Sequence, residues 1–143
     1  MTENKDETKS DMIQLIYYDL SFKYEYYNPS EQFDKFVEAS GIPSGNKDYN
    51  TVAIIGCQSS GKSTLLNRLF NTKFEVMVED KGRGQTTQGI WVAMSKEYKM
   101  MILDCEGTDS KERGEDRFKF EHCSSLFALA LADLLIINMW TNV

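Results

Sequence analysis

The stretch VAIIGCQSSGKSTLLNRLF, residues 52–70, decides the fold. Its first four residues are apolar and mostly β-branched, which predicts a buried parallel strand over residues 52–55. Residues 62–70 place their leucines on one side and predict a helix. Between them, residues 56–63 match the pattern G-x-x-x-x-G-K-[S/T] at every fixed position. A glycine-rich turn between a buried strand and a helix predicts a phosphate-binding loop.

The residue types of this loop suit an anion. A chain that wraps a phosphate must point successive N–H groups inward, and glycines allow the φ angles that this requires. The start of the following helix adds its dipole to the same anion. Lys62 is expected to reach the β- and γ-phosphates, and Ser63 to offer its hydroxyl to Mg²⁺. The predicted nucleotide-binding residues are Gly56, Cys57, Gln58, Ser59, Ser60, Gly61, Lys62, Ser63 and Thr64.

A second motif, Asp104-Cys105-Glu106-Gly107, follows the apolar run of residues 100–103. Asp104 thus ends a predicted strand, at the edge of an open α/β sheet where ligands bind. An aspartate there can hold Mg²⁺ through water, and the Gly107 N–H can meet a γ-phosphate. The separation from Lys62 leaves room for one returning strand, predicted over residues 90–94.

Between the two motifs lies the run RGQTTQGI, residues 83–90. Small nucleotide switches carry a threonine in this loop, whose hydroxyl ligates Mg²⁺ only while the γ-phosphate is present. On the residues alone, Thr86 and Thr87 both fit this role. A pair of threonines before a strand is also typical of ordinary β-structure, so the interpretation depends on the two flanking motifs.

The remaining segments predict an α/β sandwich with a mainly parallel sheet flanked by helices. Further strands are predicted over residues 12–18, 22–26, 100–104 and 134–138, the last of them buried. One helix is predicted to start at Pro29-Ser30, with Ser30 as its N-cap, and to stop at Gly41. Another helix is predicted over roughly residues 116–132. The predicted domains are a flexible tail (1–11), a strand and helix extension (12–49) and a partial core (50–143).

Composition bounds the classes of function. The chain has 143 residues, of which 41% are hydrophobic and 27% charged, so collagen, coiled coil and wholesale disorder are excluded. A net charge of −6 argues against a nucleic-acid partner. The three cysteines lack metal-ligand spacing and indicate reduced thiols in the cytosol. No signal peptide opens the sequence, and its most apolar stretch, residues 126–140, is too short to cross a bilayer. The chain alone is expected to be soluble.

Four runs together carry a resemblance to a known family. GCQSSGKSTLLNRLF, GRGQTTQGIW, DCEGTDSKERGED and LFALALADLLIINMW are similar to the membrane-fusion GTPases of the atlastin and root-hair-defective group, above all to the Sey-type branch. The resemblance covers about residues 50–143. It implies a P-loop NTPase fold of the dynamin superfamily, and GTP hydrolysis with Mg²⁺ that drives homotypic fusion of endoplasmic reticulum membranes.

The resemblance also implies partners and a location. The GTPase domain would form a homodimer in trans, on the cytosolic face of the endoplasmic reticulum membrane. The membrane anchor would lie in segments absent from these residues. The sequence is interpreted as the N-terminal part of a larger GTPase, because it stops shortly after residue 140 and the strands that complete the sheet are expected to follow.

Family residues carry over onto matching positions. The resemblance makes Thr87 the switch threonine, so the expected metal ligands are Ser63, Thr87 and Asp104. Atlastins carry an arginine finger at the fourth loop position, which is Ser59 here, so the stabilising charge must come from elsewhere. The loop instead resembles that of dynamins, whose polar side chains help to place water and a monovalent cation. The candidate catalytic residues are Gln58, Ser59, Arg83, Thr87, Gly107 and Arg113.

Each of these candidates has a distinct expected role. Gln58 and Ser59 would help to place the water. Arg83 and Arg113, the latter in the second switch, would counter the transition-state charge. The Thr87 carbonyl and the Gly107 N–H would hold the attacking water in line.

Several functions stay open on the residues alone. The chain fits a GTPase whose switches drive dimerisation, a nucleotide-dependent binding module with little turnover, or an inactive truncated fragment. An ATPase also fits the motif spacing, because the base-recognition loop of GTPases is not in these residues. Guanine preference therefore follows from the resemblance only.

Overall fold

The computed structural model describes residues 12–16, 29–41, 49–76, 87–108 and 117–139. Within these ranges the chain forms five strands and three helices. In chain order they are β1 (Met12–Ile16), α1 (Pro29–Ser40), β2 (Asn50–Gly56), α2 (Lys62–Phe70), β3 (Ile90–Ser95), β4 (Met100–Cys105), α3 (Arg117–Leu131) and β5 (Leu134–Asn138). No helix in the described part of the chain is both long and apolar enough to span a bilayer.

The elements follow the sequence predictions closely where the structure describes them. The bounds predicted for α2 and β5 are confirmed to the residue. The prediction of Ser30 as an N-cap is wrong, because α1 begins one residue earlier at Pro29. Proline suits the first helical position, where its fixed φ is already helical and its missing N–H costs nothing. The predicted tail and the predicted strand over residues 22–26 lie outside the described residues.

The five strands form one sheet in the order β1-β3-β4-β2-β5. β2 lies between β4 and β5 and is parallel to both of them. β3 is antiparallel to β4 and to β1. The predicted α/β class is confirmed, but the sheet is mixed and its parallel character is confined to the β4–β2–β5 half. β3 and β4 are antiparallel because the tight turn at residues 96–99 connects them, and so short a connection can join only antiparallel neighbours.

The helices cover both faces of the sheet. Successive residues of a strand point to opposite faces, and β2 shows this clearly. Ile54 lies in a core cluster with Leu66 of α2. Ala53, on the other face, lies in a cluster with Phe36 of α1 and Ala128 of α3. With both faces covered, the carboxyl ends of β2 and β4 are left as the edge at which their following loops meet.

β5 is more exposed than predicted. Leu134 and Ile137 keep 56% and 60% of their surface exposed. Several large apolar side chains of α3 are also exposed. Within the described residues β5 pairs with β2 alone, so it forms an edge of the sheet. The prediction of a buried strand there is wrong, because an apolar run shows what a strand can bury and not how many neighbours it has.

Candidate functional site

The phosphate-binding loop joins β2 to α2 and has a buried cation at its end. Lys62 is the first residue of α2 and is only 6% exposed. Its Nζ donates a hydrogen bond of 3.0 Å to the carbonyl oxygen of Cys57, across the loop. Burial lowers the pKa of Lys62, and the negative charge of Asp104 opposes that shift. A second anion beside this ammonium group would therefore stabilise its charged form.

The start of α2 is also suited to an anion. Its N-cap is Gly61, with φ 81°, and no side chain caps the helix there. The first N–H groups of a helix have no partner within the helix. Those of α2 are therefore left for another acceptor, and the helix dipole favours a negatively charged one.

A cavity of about 250 Å³ lies against the loop. It is lined by the loop, the first turn of α2 and three segments distant in sequence: Gln58, Ser59, Ser60, Gly61, Lys62, Ser63, Thr64, Glu75, Val76, Thr87 and Gly107. The structure thus brings four of the candidate catalytic residues to one cavity. The other two, Arg83 and Arg113, lie outside the described residues, as does Thr86.

Three side-chain oxygens converge beside this cavity. The Ser63 hydroxyl donates to Oδ2 of Asp104 at 2.6 Å, and the Thr87 hydroxyl donates to the same oxygen at 3.2 Å. The two hydroxyl oxygens lie 3.1 Å apart. α2, the segment before β3 and the end of β4 each supply one of these groups. They are the residues that the resemblance assigns to the metal.

Asp104 is the buried member of this cluster. It is 1% exposed, and burial raises the pKa of its carboxyl, although the Ser63 hydrogen bond and the Lys62 charge oppose this. Its Oδ1 is buried and has no hydrogen-bond partner among the described residues. Hard divalent cations such as Mg²⁺ prefer hydroxyl and carboxylate oxygens. An unpartnered carboxylate oxygen beside two hydroxyls therefore fits such a cation.

Gly107 holds the second motif tightly against the loop. A Cβ at this position would lie 2.4 Å from the Gln58 Cα and 3.0 Å from the Lys62 Nζ, so a larger residue cannot fit. The next residue, Thr108, exchanges main-chain hydrogen bonds with the loop. Its N–H donates to the Gly56 carbonyl at 3.0 Å, and its carbonyl accepts from the Gln58 N–H at 2.8 Å. The loop after β4 is thereby fixed beside the loop after β2.

Two residues at the site were missed by sequence reasoning. Asn138, at the end of β5, donates from Nδ2 to the carbonyl oxygen of Ser60 at 2.9 Å and to its hydroxyl at 3.1 Å. A polar residue closing an apolar strand was the available signal, as it was for Asp104. Glu106 is 3% exposed and accepts a hydrogen bond from the Gly89 N–H. No sequence signal separates this glutamate from the other acidic residues that follow β4 in the sequence.

The geometry is that of a P-loop domain: an uncapped helix start and a buried lysine lie beside three oxygens suited to a divalent cation. Comparison with known proteins narrows this class. Residues 55–143 match the family described as "Root hair defective 3 GTP-binding protein (RHD3) GTPase domain". The match covers more than half of the chain, and the chain belongs to this family.

Full-length relatives agree with the family match. Protein SEY1 homolog 1 of Trichomonas vaginalis is 58% identical over 109 residues, which are 76% of this chain and 14% of that protein. Protein ROOT HAIR DEFECTIVE 3 homolog 1 of Oryza sativa subsp. japonica is 50% identical over 115 residues, with coverages of 79% and 14%. A Protein SEY1 homolog of Theileria parva is 45% identical over 144 residues, with coverages of 97% and 18%. The chain thus spans less than a fifth of the length of these relatives.

The Asp104 carboxylate gives a first prediction. Asp104→Asn is expected to stabilise the ligand-free chain by about 1 kcal/mol, because the amide removes a buried charge and can donate to the neighbouring hydroxyls. The same substitution is expected to abolish the rise in melting temperature that Mg²⁺ and a nucleoside triphosphate together cause in the wild-type chain. Differential scanning fluorimetry with and without both ligands measures the two effects.

A matched control is available at Asp133, just before β5. The Asp133 Oδ2 accepts a hydrogen bond of 2.7 Å from the Thr51 N–H, at the opposite end of β2 from the loop. Asp133→Asn is therefore expected to keep the ligand-dependent rise. If Asp104→Asn also keeps it in full, the carboxylate does not hold the cation.

Asn138 gives a second prediction. Asn138→Ala removes the donor to both oxygens of Ser60 and is expected to weaken nucleotide binding about tenfold, since a lost hydrogen bond leaves part of the loop unsupported. Titration calorimetry measures the affinity. The neighbouring Met139 is 71% exposed, so Met139→Ala should bind like the wild-type chain. Equal affinities for all three proteins would mean that Asn138 does not support the loop.

Proposed function

We propose that this chain binds GTP with Mg²⁺ and hydrolyses it, as the GTPase part of a protein that drives homotypic fusion of endoplasmic reticulum membranes. The observation that carries the proposal is the cluster of Ser63, Thr87 and Asp104 oxygens beside the buried Lys62. Membership of a GTPase domain family supports GTP as the nucleotide.

The loop and Lys62 would bind the phosphates. The first N–H groups of α2 and the main chain of the loop offer donors to the β-phosphate. Lys62 would exchange its Cys57 carbonyl partner for β- and γ-phosphate oxygens. A phosphate offers the ammonium group a full negative charge, which makes a stronger hydrogen bond than a carbonyl.

The three oxygens would hold Mg²⁺. Bound there, the cation would neutralise charge on the phosphate oxygens. Ser63 and Asp104 lie on elements of the core, whereas Thr87 lies on the segment that leads into β3. Thr87 therefore reports on the cation and the γ-phosphate, while the other two form the permanent part of the site.

Hydrolysis would depend on positioning more than on covalent chemistry. We assign the Thr87 carbonyl and the Gly107 N–H to orient the attacking water, and the Gln58 and Ser59 side chains to support it. Gln58, Ser59, Thr87 and Gly107 all line the same cavity. Arg83 and Arg113 remain our candidates for the positive charge that atlastins supply from the loop.

The membrane function concerns the whole protein of which this chain forms a part. We propose a homodimer in trans through the GTPase domain, on the cytosolic face of the endoplasmic reticulum membrane, with an anchor outside these residues. The resemblance of the switch segments to the fusion GTPases supports this. A second candidate function is a nucleotide-dependent binding module with little turnover, which is favoured by Ser59 at the position of the arginine finger.

Nucleotide titration tests the proposal. We expect the purified chain to bind GTP with Mg²⁺ more tightly than ATP and to release phosphate from GTP. Lys62→Ala should lower the affinity at least about tenfold, because it removes a charged partner of the phosphates. Lys73→Ala, at an exposed lysine outside the loop, is the matched control and should change nothing. Binding without phosphate release would favour the binding module, and a preference for ATP would refute the guanine assignment.

Single-turnover kinetics test the catalytic candidates. Ser59, Arg83 and Arg113 are each replaced by alanine, and the rate of the chemical step is measured with enzyme in excess. At least one variant is expected to slow that step by more than about threefold while binding GTP normally, because a group that acts only in the transition state affects rate and not affinity. If none does, the stabilising charge comes from a residue outside this set.

A further inference from the structure

The two residues after Thr87 are held by other parts of the sheet. The Gln88 carbonyl accepts a hydrogen bond of 2.9 Å from the Gln14 Nε2 on β1, and one of 3.0 Å from the Trp91 Nε1 on β3. Gly89 is buried and follows directly. The chain therefore passes from the candidate switch threonine into a short segment that is fixed from several sides.

Glu106 binds Gly89 at two points. Its main-chain N–H donates to the Gly89 carbonyl at 2.8 Å, and its Oε2 accepts from the Gly89 N–H at 2.6 Å. The pair lies directly beyond Ile90 and Cys105, the last residues paired between β3 and β4. In an antiparallel ladder, every second pair of facing residues exchanges two main-chain hydrogen bonds. At the Gly89–Glu106 pair, the Glu106 carboxylate takes the place of one main-chain acceptor. This hydrogen bond therefore depends on the residue type at position 106.

Gly89 packs so closely against β1 that no side chain fits at this position. Its φ is +76°, and a Cβ built on it would lie 1.9 Å from the Ile16 carbonyl oxygen. Only glycine fits against the Ile16 carbonyl at this φ. A glycine has many conformations open to it, so a bond that fixes its N–H restricts this point of the chain more than it would elsewhere.

Fixing Gly89 restricts Thr87. Thr87 precedes Gly89 by two residues, so their Cα atoms lie at most about 7 Å apart. The Thr87 hydroxyl lies 3.2 Å from the Asp104 Oδ2, while Glu106 is two residues after Asp104 in the same motif. The motif thus supplies both a cation ligand and the group that anchors the neighbouring switch segment.

We propose that Glu106 is a positioning residue for nucleotide sensing: its carboxylate anchors Gly89 and so holds Thr87 beside Ser63 and Asp104, where a γ-phosphate and its cation are recognised. This rests on the proposed GTP-binding function. Glu106 is not assigned any contact with the nucleotide. Loss of the Glu106 carboxylate is expected to weaken the binding of a nucleoside triphosphate. It should leave the affinity for the diphosphate unchanged, because the diphosphate would be bound by the loop and Lys62.

Nucleotide discrimination separates this role from a general structural one. The affinities of the chain for GDP and for the non-hydrolysable guanosine 5′-(β,γ-imido)triphosphate are measured with Mg²⁺ by titration calorimetry. Glu106→Ala is expected to weaken the triphosphate analogue about tenfold, with GDP changed by less than about twofold, because only the former engages Thr87. Glu106→Gln keeps an acceptor oxygen at the same reach and should restore most of the difference.

Two further variants complete the set. Glu106→Asp keeps the charge but shortens the side chain, so it should behave like Glu106→Ala and serves if the alanine variant does not fold. Glu97→Ala, at an exposed glutamate in the turn before β4, is the matched control and should discriminate as the wild-type chain does. Equal weakening of both nucleotides in Glu106→Ala, or a glutamine variant no better than alanine, would overturn the positioning role.

Hydrogen exchange of the Gly89 amide tests the Glu106 anchor without any nucleotide. In the ligand-free chain, Glu106→Ala is expected to speed exchange of the Gly89 amide about tenfold or more relative to Glu106→Gln, because that N–H loses its acceptor. An unchanged exchange rate would overturn the anchor itself. A wild-type chain that binds neither nucleotide would refute the proposed function and the sensing role with it, while the exchange rate would still report on the anchor.

Discussion

The parallel pairing of β2 with β4 is the constraint on which the site depends. In this pairing Asp104 lies opposite Ile54, whose side chain belongs to the face covered by α2. Side chains alternate along a strand, so a slip of one residue would move Asp104 to the face covered by α1 and α3. Ser63, on α2, could then no longer donate to it. The apolar contacts that fix this register therefore also determine whether the three oxygens meet.

Sequence reasoning succeeded where the signal was local and failed where it depended on distant neighbours. The helix over Lys62–Phe70 was predicted to the residue because its motif and periodicity lie within one short segment. The exposure of Ile137 was not predicted, because the burial of this side chain depends on which strands lie beside β5. Glu106 and Asn138 were missed for the same reason: each contacts a residue far away in sequence, and neither its residue type nor its neighbours identify that partner.

The site concentrates charges that burial disfavours. Burial lowers the pKa of Lys62 and raises the pKa of Asp104, so both shifts favour the neutral forms. A buried ion pair seldom recovers the full cost of its desolvation. The chain retains both groups at a place where a phosphate and a cation would supply the missing partners. Such a site is less stable empty than an apolar core of the same volume, and a bound phosphate and cation would offset the difference.

The connection between α2 and β3 is tied down at both of its described ends by amide or carboxylate side chains. At its start the Asn67 side chain accepts from the Phe74 N–H at 2.8 Å and donates to the Phe74 carbonyl at 2.9 Å. At its end Glu106 binds Gly89. Asn67 lies on the helix that carries Ser63, and Glu106 lies in the motif that carries Asp104. The elements that carry Ser63 and Asp104 thus also hold the two described ends of the connection that carries Thr87. Because Glu106 binds Gly89, a shift of the Asp104 motif would move Thr87 with it.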